Sequence, residues 1–502
     1  MMLAIVQAAA AEDAQLPFSL TLQPAFTIPN APPLQSYAHA HADVDGLKWL
    51  LVSGRHSGLH DFVEPRPDRL VNDYNVSGDN GHLWVVDIAK KQVWRRPLDC
   101  LTHIRTDPLR ASSCLSCQVD DRLYVIGGYG ESPGADTTGN MLTFDTLTVF
   151  DVADTIRAVI DDGPITGYVR QTSDPALRVT GGGLLPLGES LYMVFGQRFD
   201  GLYSPAIRDS ERIFYQQYTR QVRRVTVTDA PMLSVKVESF PNFEIGNPRP
   251  NDPTDPYRRR DLNVAPAISP QGKSRIAAYG GVFRPGTFEG FLEPVYIDEI
   301  KQFPFEYQGS QFPYDSFSPG VDRAAQQLLS QYDCAYLCLH DGKSGSMFTT
   351  FFGGISSLHY DRQTDKLVKD KVVPNPQGGQ PFQDGLPFIK TVSLLRVDKS
   401  AKTEGFILPD DLPGYLGAEA AMLVDPAVPH YKNGVLRLDQ ITKPTVVGYI
   451  FGGIESSGPY TTGPEKGGNT AIGTIGSDQF IPILLTPKPS KVRRMPAPPA
   501  DP

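Results

Sequence analysis

A short theme recurs along this chain, an apolar β-rich run that stops at glycine, and it constrains the fold more than any other feature. Residues 446–458 read VVGYIFGGIESSG, and residues 352–355 repeat the FGGI at its centre. Looser copies stand at 48–56 (KWLLVSGRH), 123–130 (LYVIGGYG), 191–199 (LYMVFGQRF) and 275–283 (RIAAYGGVF). Self-similarity of this kind marks a repeat architecture, in which each unit buries its apolar face only by packing against its neighbours. With 46 glycines and 45 prolines among 502 residues, the chain suits short strands joined by many turns and leaves little room for long amphipathic helices. The class read from these features is all-β.

The copies resemble kelch-type β-propeller blades. Residues 36–55, SYAHAHADVDGLKWLLVSGR, look like a kelch strand pair, including its His-Ala and its Asp-Gly turn, and HLWVVDIAKKQVWRR (82–96) supplies two more strands with a tryptophan near the end of the fourth. The resemblance implies a six-bladed β-propeller, one closed domain over residues 17–486 rather than several domains. The last unit offers three strands, so the strand FSLTLQ (18–23) is expected to complete it and close the ring, which removes an open edge. Pro482 within that unit's third strand is expected at a bulge or an unpaired position. The segments RDLNVAP (260–266), FFGGIS (351–356), LPFIKTV (386–392) and VGYIFGGI (447–454) are similar to those of exported bacterial propeller proteins of no established function. That similarity implies export and supplies no catalytic residues.

Measured at the last glycine of each motif, the copies step by 74, 68, 85, 73 and 99 residues, against about 50 for a kelch blade. Strand three is expected to resume near His82, Thr143, Thr219, Glu293, Phe388 and Asp478. The excess therefore follows the glycine motif and gathers on one rim, which in repeat proteins is usually the binding face.

The net charge of −9 argues against a nucleic-acid partner, since phosphate binders carry a basic face. No run approaches the roughly 20 apolar residues of a membrane helix. Residues 1–16 are read as a signal-peptide remnant or disordered start, with a small-residue site at 8–10 but no early Lys or Arg, and residues 487–502 as a Pro-rich disordered tail. Localisation is expected to be exported: periplasmic, cell-surface or extracellular. A monomer is expected.

Five cysteines do not make a disulfide framework. Cys114 and Cys117 form a CxxC, but within strands residues three apart face opposite ways and sit about 10 Å apart, beyond disulfide reach; Cys334 and Cys338 are farther apart still. All are read as buried and inert. No GxSxG elbow appears (54–58 reads GRHSG), and GKS at 342–344 lacks the glycine cradle of a phosphate loop. His39 and His41 share a strand face and could both reach one metal, yet the kelch pattern itself carries a His-Ala here and no third ligand stands out, so no metal is assigned. His56 and His60 are read as loop anchors, and VSGDN (76–80) as a solvated turn rather than a calcium site. The motif of a copper-radical oxidase is missing, and no cofactor is expected.

The candidate site rests on placement. Residues at the entrance of each innermost strand, and those just after each glycine motif, should surround the axial channel: Arg55, His56, Tyr129, Gln197, Arg198, Arg260, Asp261, Asn263, Arg284, Tyr332, Asp333, Glu419 and Glu455. Arginines there could grip a carboxylate while Asp or Glu acts as acid or base, or Arg260 and Asp261 form a structural ion pair. The expected function is an exported, non-catalytic propeller binding a protein or glycan. The alternative is a carbohydrate-active lyase, hydrolase or epimerase at the channel mouth, recognised by carboxylates that converge in a closed pocket.

Overall fold

The structure is a computed structural model that describes residues 13–498 apart from 61–73, 75, 133–140, 204–213, 241–254, 283, 285–289, 300–319, 370–371, 374–381, 384–386 and 460–472. The apolar run of the repeated theme is the second strand of an antiparallel sheet, and such sheets follow one another along the chain. The first sheet is Ala38–Asp43, Leu47–Val52, His82–Asp87 and Gln92–Pro97; the second is Leu115–Val119, Arg122–Ile126, Thr146–Asp151 and Val169–Ser173. The third is Gly183–Leu187, Ser190–Val194, Val222–Thr228 and Ser234–Phe240, and the fourth Asn263–Ile268, Ser274–Tyr279, Val295–Ile297 and Gly320–Val321. Tyr336–Asp341, Ser346–Ile355, Phe388–Val397 and Thr403–Ile407 make the fifth. A further sheet joins Ala420–Val424, Thr445–Gly452 and Gln479–Thr486 to Ser19–Leu22 from the other end of the chain.

The arrangement is an all-β propeller that counts five blades, not the six expected. The sheets differ in how they are built: the first five take four strands in succession along the chain, whereas the last borrows its outer strand from the N-terminus. Between successive sheets lie apolar layers. Leu50, Val52, Leu83 and Val85 pack with Leu123 and Val125, and Tyr279 and Ala277 pack with Cys338, Phe351 and Leu395. Phe451 and Phe480, stacked at 4.1 Å, pack with Trp49, Leu51 and Trp84 of the first sheet.

The glycine pair has a packing cause. Gly452 and Gly453 take φ of 69° and 85°, and the Gly453 amide donates to the Leu34 carbonyl at 2.7 Å. A Cβ on Gly452 would fall on that same carbonyl oxygen. Gly127 meets Val179 in the same way, and Gly128 donates to Val179 at 2.9 Å. In these two copies the strand ends by docking backbone against the approach to another sheet's innermost strand, a contact that leaves no room for a side chain at Gly452 or Gly127. Ser53 and Phe195 hold the first place of the pair in two copies, with φ of 62° and 56°.

Both chain ends correct the expected boundaries. Ser490–Arg494 is a strand on the edge of the fifth sheet, and Asp13–Leu16 pairs with it in turn, so residues 13–16 and 490–494 belong to the propeller rather than to disordered ends. Val492 alternates into the core and is buried, which the Pro-rich composition around it concealed. The alanine-rich start, residues 1–12, and the final four residues lie outside the described residues. Pro482 sits where the outer partner is interrupted, between Ser19–Leu22 and Phe26–Thr27, and its carbonyl accepts from Gln23 at 2.9 Å. One helix, Val152–Ile160, packs its buried face on the first sheet. Among the described residues no helix is long and apolar enough to cross a membrane.

Candidate functional site

The first strands of these sheets line a channel of about 570 Å³. One residue before or near the start of each strand occupies an equivalent place: Ser36, Ser113, Gly181, Asp261, Asp333 and Glu419. Backbone bonds link these places in order. The amide of Gly181 donates to Ser113 (3.2 Å), Asp261 to Gly181 (2.7 Å), Asp333 to Asp261 (3.4 Å), Glu419 to Asp333 (2.6 Å) and Ser36 to Glu419 (3.1 Å). Every one of them except Asp333 has a positive φ, between 50° and 62°, which is strained for Ser, Asp and Glu and is tolerated where surrounding structure over-determines it. At Gly181 the side chain is absent for a reason: a Cβ would collide with Oδ1 of Asp261.

Three of these places carry carboxyls that feel one another's charge. Burial pushes the Asp333 carboxyl up to about 7, with the nearby Asp261 charge adding to the rise. Glu419 is raised by burial and then by Asp333 and Asp261, while the Ser36 hydroxyl donates to its Oε2 at 2.5 Å and opposes the rise. Burial also raises Asp261, opposed by the Arg260 guanidinium at 2.8 Å and by a hydrogen bond from Tyr332. Carboxyls pressed together out of water cannot all ionise, so protons stay in this end of the channel near neutral pH.

Tyrosines and arginines surround the acids. Tyr332 bridges backbone to backbone with Ile355 just past a glycine motif. Tyr74 packs edge-on to Tyr203 (5.2 Å) and Tyr129 (5.3 Å), and His60 stacks on Tyr74 at 5.2 Å. Tyr74 and Tyr332 both lie within electrostatic range of Asp261 and Glu419. Arg55 is buried, paired with Asp79 at 2.8 Å and placed over the Tyr74 ring at 4.8 Å. Arg260 also reaches the Tyr218 hydroxyl, at 3.2 Å.

The structure therefore gathers Arg55, Arg260, Asp261, Tyr332, Asp333 and Glu419 of the expected set. It disperses others. Asn263 is a stitch, donating to the Gln331 carbonyl (2.7 Å) and accepting from the Cys334 amide (2.9 Å). Tyr129 stays against Tyr74 but spends its hydroxyl on the Gly201 carbonyl (2.7 Å), and Gln197 accepts from Gln216 (2.6 Å). Arg198 pairs with Asp200 (2.5 Å), and Glu455 accepts from Gln479 (2.9 Å). His56 is held by the Pro33 carbonyl at 3.1 Å and lowered by burial. Arg284 stands near the buried Arg259 guanidinium. The placement rule overreached because a residue just past a glycine motif enters a backbone bridge, as in Ser112 with Tyr129 and Thr180 with Gln197, and its side chain then follows its own insertion.

Sequence reasoning missed Ser36, Ser113 and Gly181, which superposing the repeats on Asp261, Asp333 and Glu419 would have found. It also missed Tyr74, Tyr203 and Tyr218, which lie in insertions that share no pattern. His39 and His41 line the channel below the acids; burial, and then His41, lower His39 to about 4. Among the described residues no group of three or more His, Cys, Asp or Glu is placed to hold a metal. Asp79 of the acidic turn serves Arg55, and the five cysteines are free thiols. No known protein family matches the chain, and no curated protein is similar to it.

Proposed function

We propose that this protein is a binding propeller whose ligand, a glycan, enters the channel from the side of the inserted loops and is held by side chains at the strand entrances. The observation that carries this reading is the pair Asp333 and Glu419, which line one end of a channel of about 570 Å³ and have Asp261, Tyr332 and Tyr74 close beside them. Carboxyls that hold protons both accept from and donate to sugar hydroxyls, and Tyr37, Trp49 and Tyr336, which line the same channel, offer aromatic surface to the apolar faces of sugar rings. A glycan array probed with the wild type and with Asp333→Asn tests it: hits on the wild type that the variant loses support the reading, and a blank array from folded protein redirects the search to a protein partner of the loops.

A second reading has its own support. Asp333 and Glu419 are raised together, the arrangement of an acid and a base that divide one proton between them. A glycan that binds is then also turned over, by a lyase, hydrolase or epimerase step, and Asp333→Asn abolishes turnover more than binding.

The same proposal takes the sheet of Ala420–Val424, Thr445–Gly452 and Gln479–Thr486 as a sixth blade of a kelch-type ring closed by Ser19–Leu22. The hydrogen bonds from Ser36 to Glu419 and from Gly453 to Leu34 support it, since both join that sheet to the first. Export and a monomeric state complete the proposal, to be checked by fractionating the native cells and by light scattering.

A further inference from the structure

The arginines that could grip an acidic ligand are engaged. Arg260 is paired with Asp261 at 2.8 Å, Arg55 with Asp79 at 2.8 Å and Arg198 with Asp200 at 2.5 Å. The carboxyls are what is left over. Asp333 lines the channel, and among the described residues its side chain has no hydrogen-bond or ion-pair partner. Glu419 is 9% exposed, also lines the channel, and commits only Oε2, to Ser36; its Oε1 has no partner among the described residues.

Burying a carboxyl without a counter-charge is costly unless it keeps its proton. The folded chain nevertheless holds Glu419 in a left-handed backbone conformation, φ 56°, at the point where its side chain reaches this space. The same left-handed backbone recurs at Ser36, Ser113, Gly181 and Asp261 and belongs to the strand entrance, so it is the unpaired carboxyl oxygens facing a cavity that point to a ligand supplying what the protein omits, namely positive charge and N–H donors. Beside the acids the wall offers the hydroxyls of Ser36 and Ser113; farther along, it is largely apolar, and His39, His41, His430, Asp120 and Lys432 line it toward the other ends of the innermost strands. At the acids' end those hydroxyls match the hydroxyls of a sugar frame, and the charge there is left to the two acids.

We infer that the channel mouth selects an amino sugar with its amine free, and that Asp333 and Glu419 are the residues that select the ammonium group. This rests on the reading of the channel mouth as a glycan site. It reverses the preference for an acidic sugar that loop arginines suggest, because those arginines are neutralised inside the protein.

Titration calorimetry of the full chain with a β-linked glucosamine trimer, its N-acetylated counterpart and a glucose trimer tests the inference. The free-amine trimer is expected to bind about tenfold or more tightly than either other sugar, the equivalent of one ammonium–carboxylate contact at roughly 1.4 kcal/mol. Asp333→Asn and Glu419→Gln, with folding checked by thermal melts, should bring that ratio to about one. Equal binding of all three trimers, weakened alike by Asp333→Asn, overturns amine selection and leaves the glycan site standing. Binding of the free-amine trimer that both variants retain overturns the role of the two acids. No binding of any trimer overturns the inference, and the glycan site falls with it if the array is blank as well.

Discussion

The amide of Glu419 donates to the carbonyl of Asp333 at 2.6 Å, so two acids, Glu419 buried and Asp333 half-buried, start from adjacent rungs of the same backbone ladder at one end of the channel. Their proximity is set by the fold and is independent of any side-chain contact between them. The consequences are measurable.

The first concerns pH. Burial, then Asp261, raise Asp333 to about 7 in the folded chain, against about 4 when unfolded. Folding therefore takes up a proton between these values, and the contribution to stability is full below about pH 4 and is lost as pH rises through about 7. Glu419, Asp261, Arg260, Tyr74 and Tyr332 share this environment, so the comparison must be with Asp333→Asn. Urea unfolding across pH 4 to 8 should give a variant that gains on the wild type steadily as pH rises; parallel profiles would refute it.

Backbone strain at Glu419 gives a second test. Replacing Glu419 by Ala removes the carboxyl and keeps the left-handed φ, whereas Gly removes both. Glu419→Gly should be more stable than Glu419→Ala by about 1 kcal/mol in denaturant melts. The opposite order would mean that the backbone relaxes there.

Gly181 and Gly272 form a natural control pair. Both have positive φ, 62° and 77°, but a Cβ on Gly181 strikes Asp261 and one on Gly272 meets nothing. Ala at Gly272 should cost about 1 kcal/mol from the backbone alone, and Ala at Gly181 roughly 2 kcal/mol or more because the Arg260–Asp261 pair must shift. Equal losses would remove Asp261 from its place over Gly181.

The corrected C-terminus predicts that truncation after Pro489 is harmful. Val492 leaves the core, and Glu404 loses Arg494. Burial pushes Glu404 up, but Arg494 and Arg396 outweigh it and hold the carboxyl at about 2. A depressed carboxyl stabilises above its unfolded value and loses that contribution as pH falls through about 2. Calorimetry at pH 7 should therefore find the truncated chain destabilised by about 2 kcal/mol or more, chiefly from the buried valine, with a smaller further loss on acidification than the full chain. An unchanged melting curve would return these residues to the status of a tail.

How much of this was legible follows the repeats. The strand–glycine theme announced the propeller because its tight backbone contacts, which require Gly452 and Gly127 in their copies, recur from sheet to sheet. It placed Asp261, Asp333 and Glu419 near the axis because each precedes an innermost strand. What did not repeat was not legible. Tyr74 and Tyr203 reach the site from insertions of unrelated sequence, and nothing local reports that Arg55 is neutralised by Asp79, 24 residues away. The strand Ser490–Arg494 was hidden by the prolines on either side of it, since its pairing with Thr403–Ile407 is set by a neighbour distant in sequence.

The most direct test of the account is a crystal structure of the chain with a saccharide taken from the array. The account predicts the sugar in the axial channel, with a polar atom within hydrogen-bond distance of Asp333 or Glu419. A sugar seated on the outer strands, or wholly among the insertions with the channel acids untouched, would contradict it.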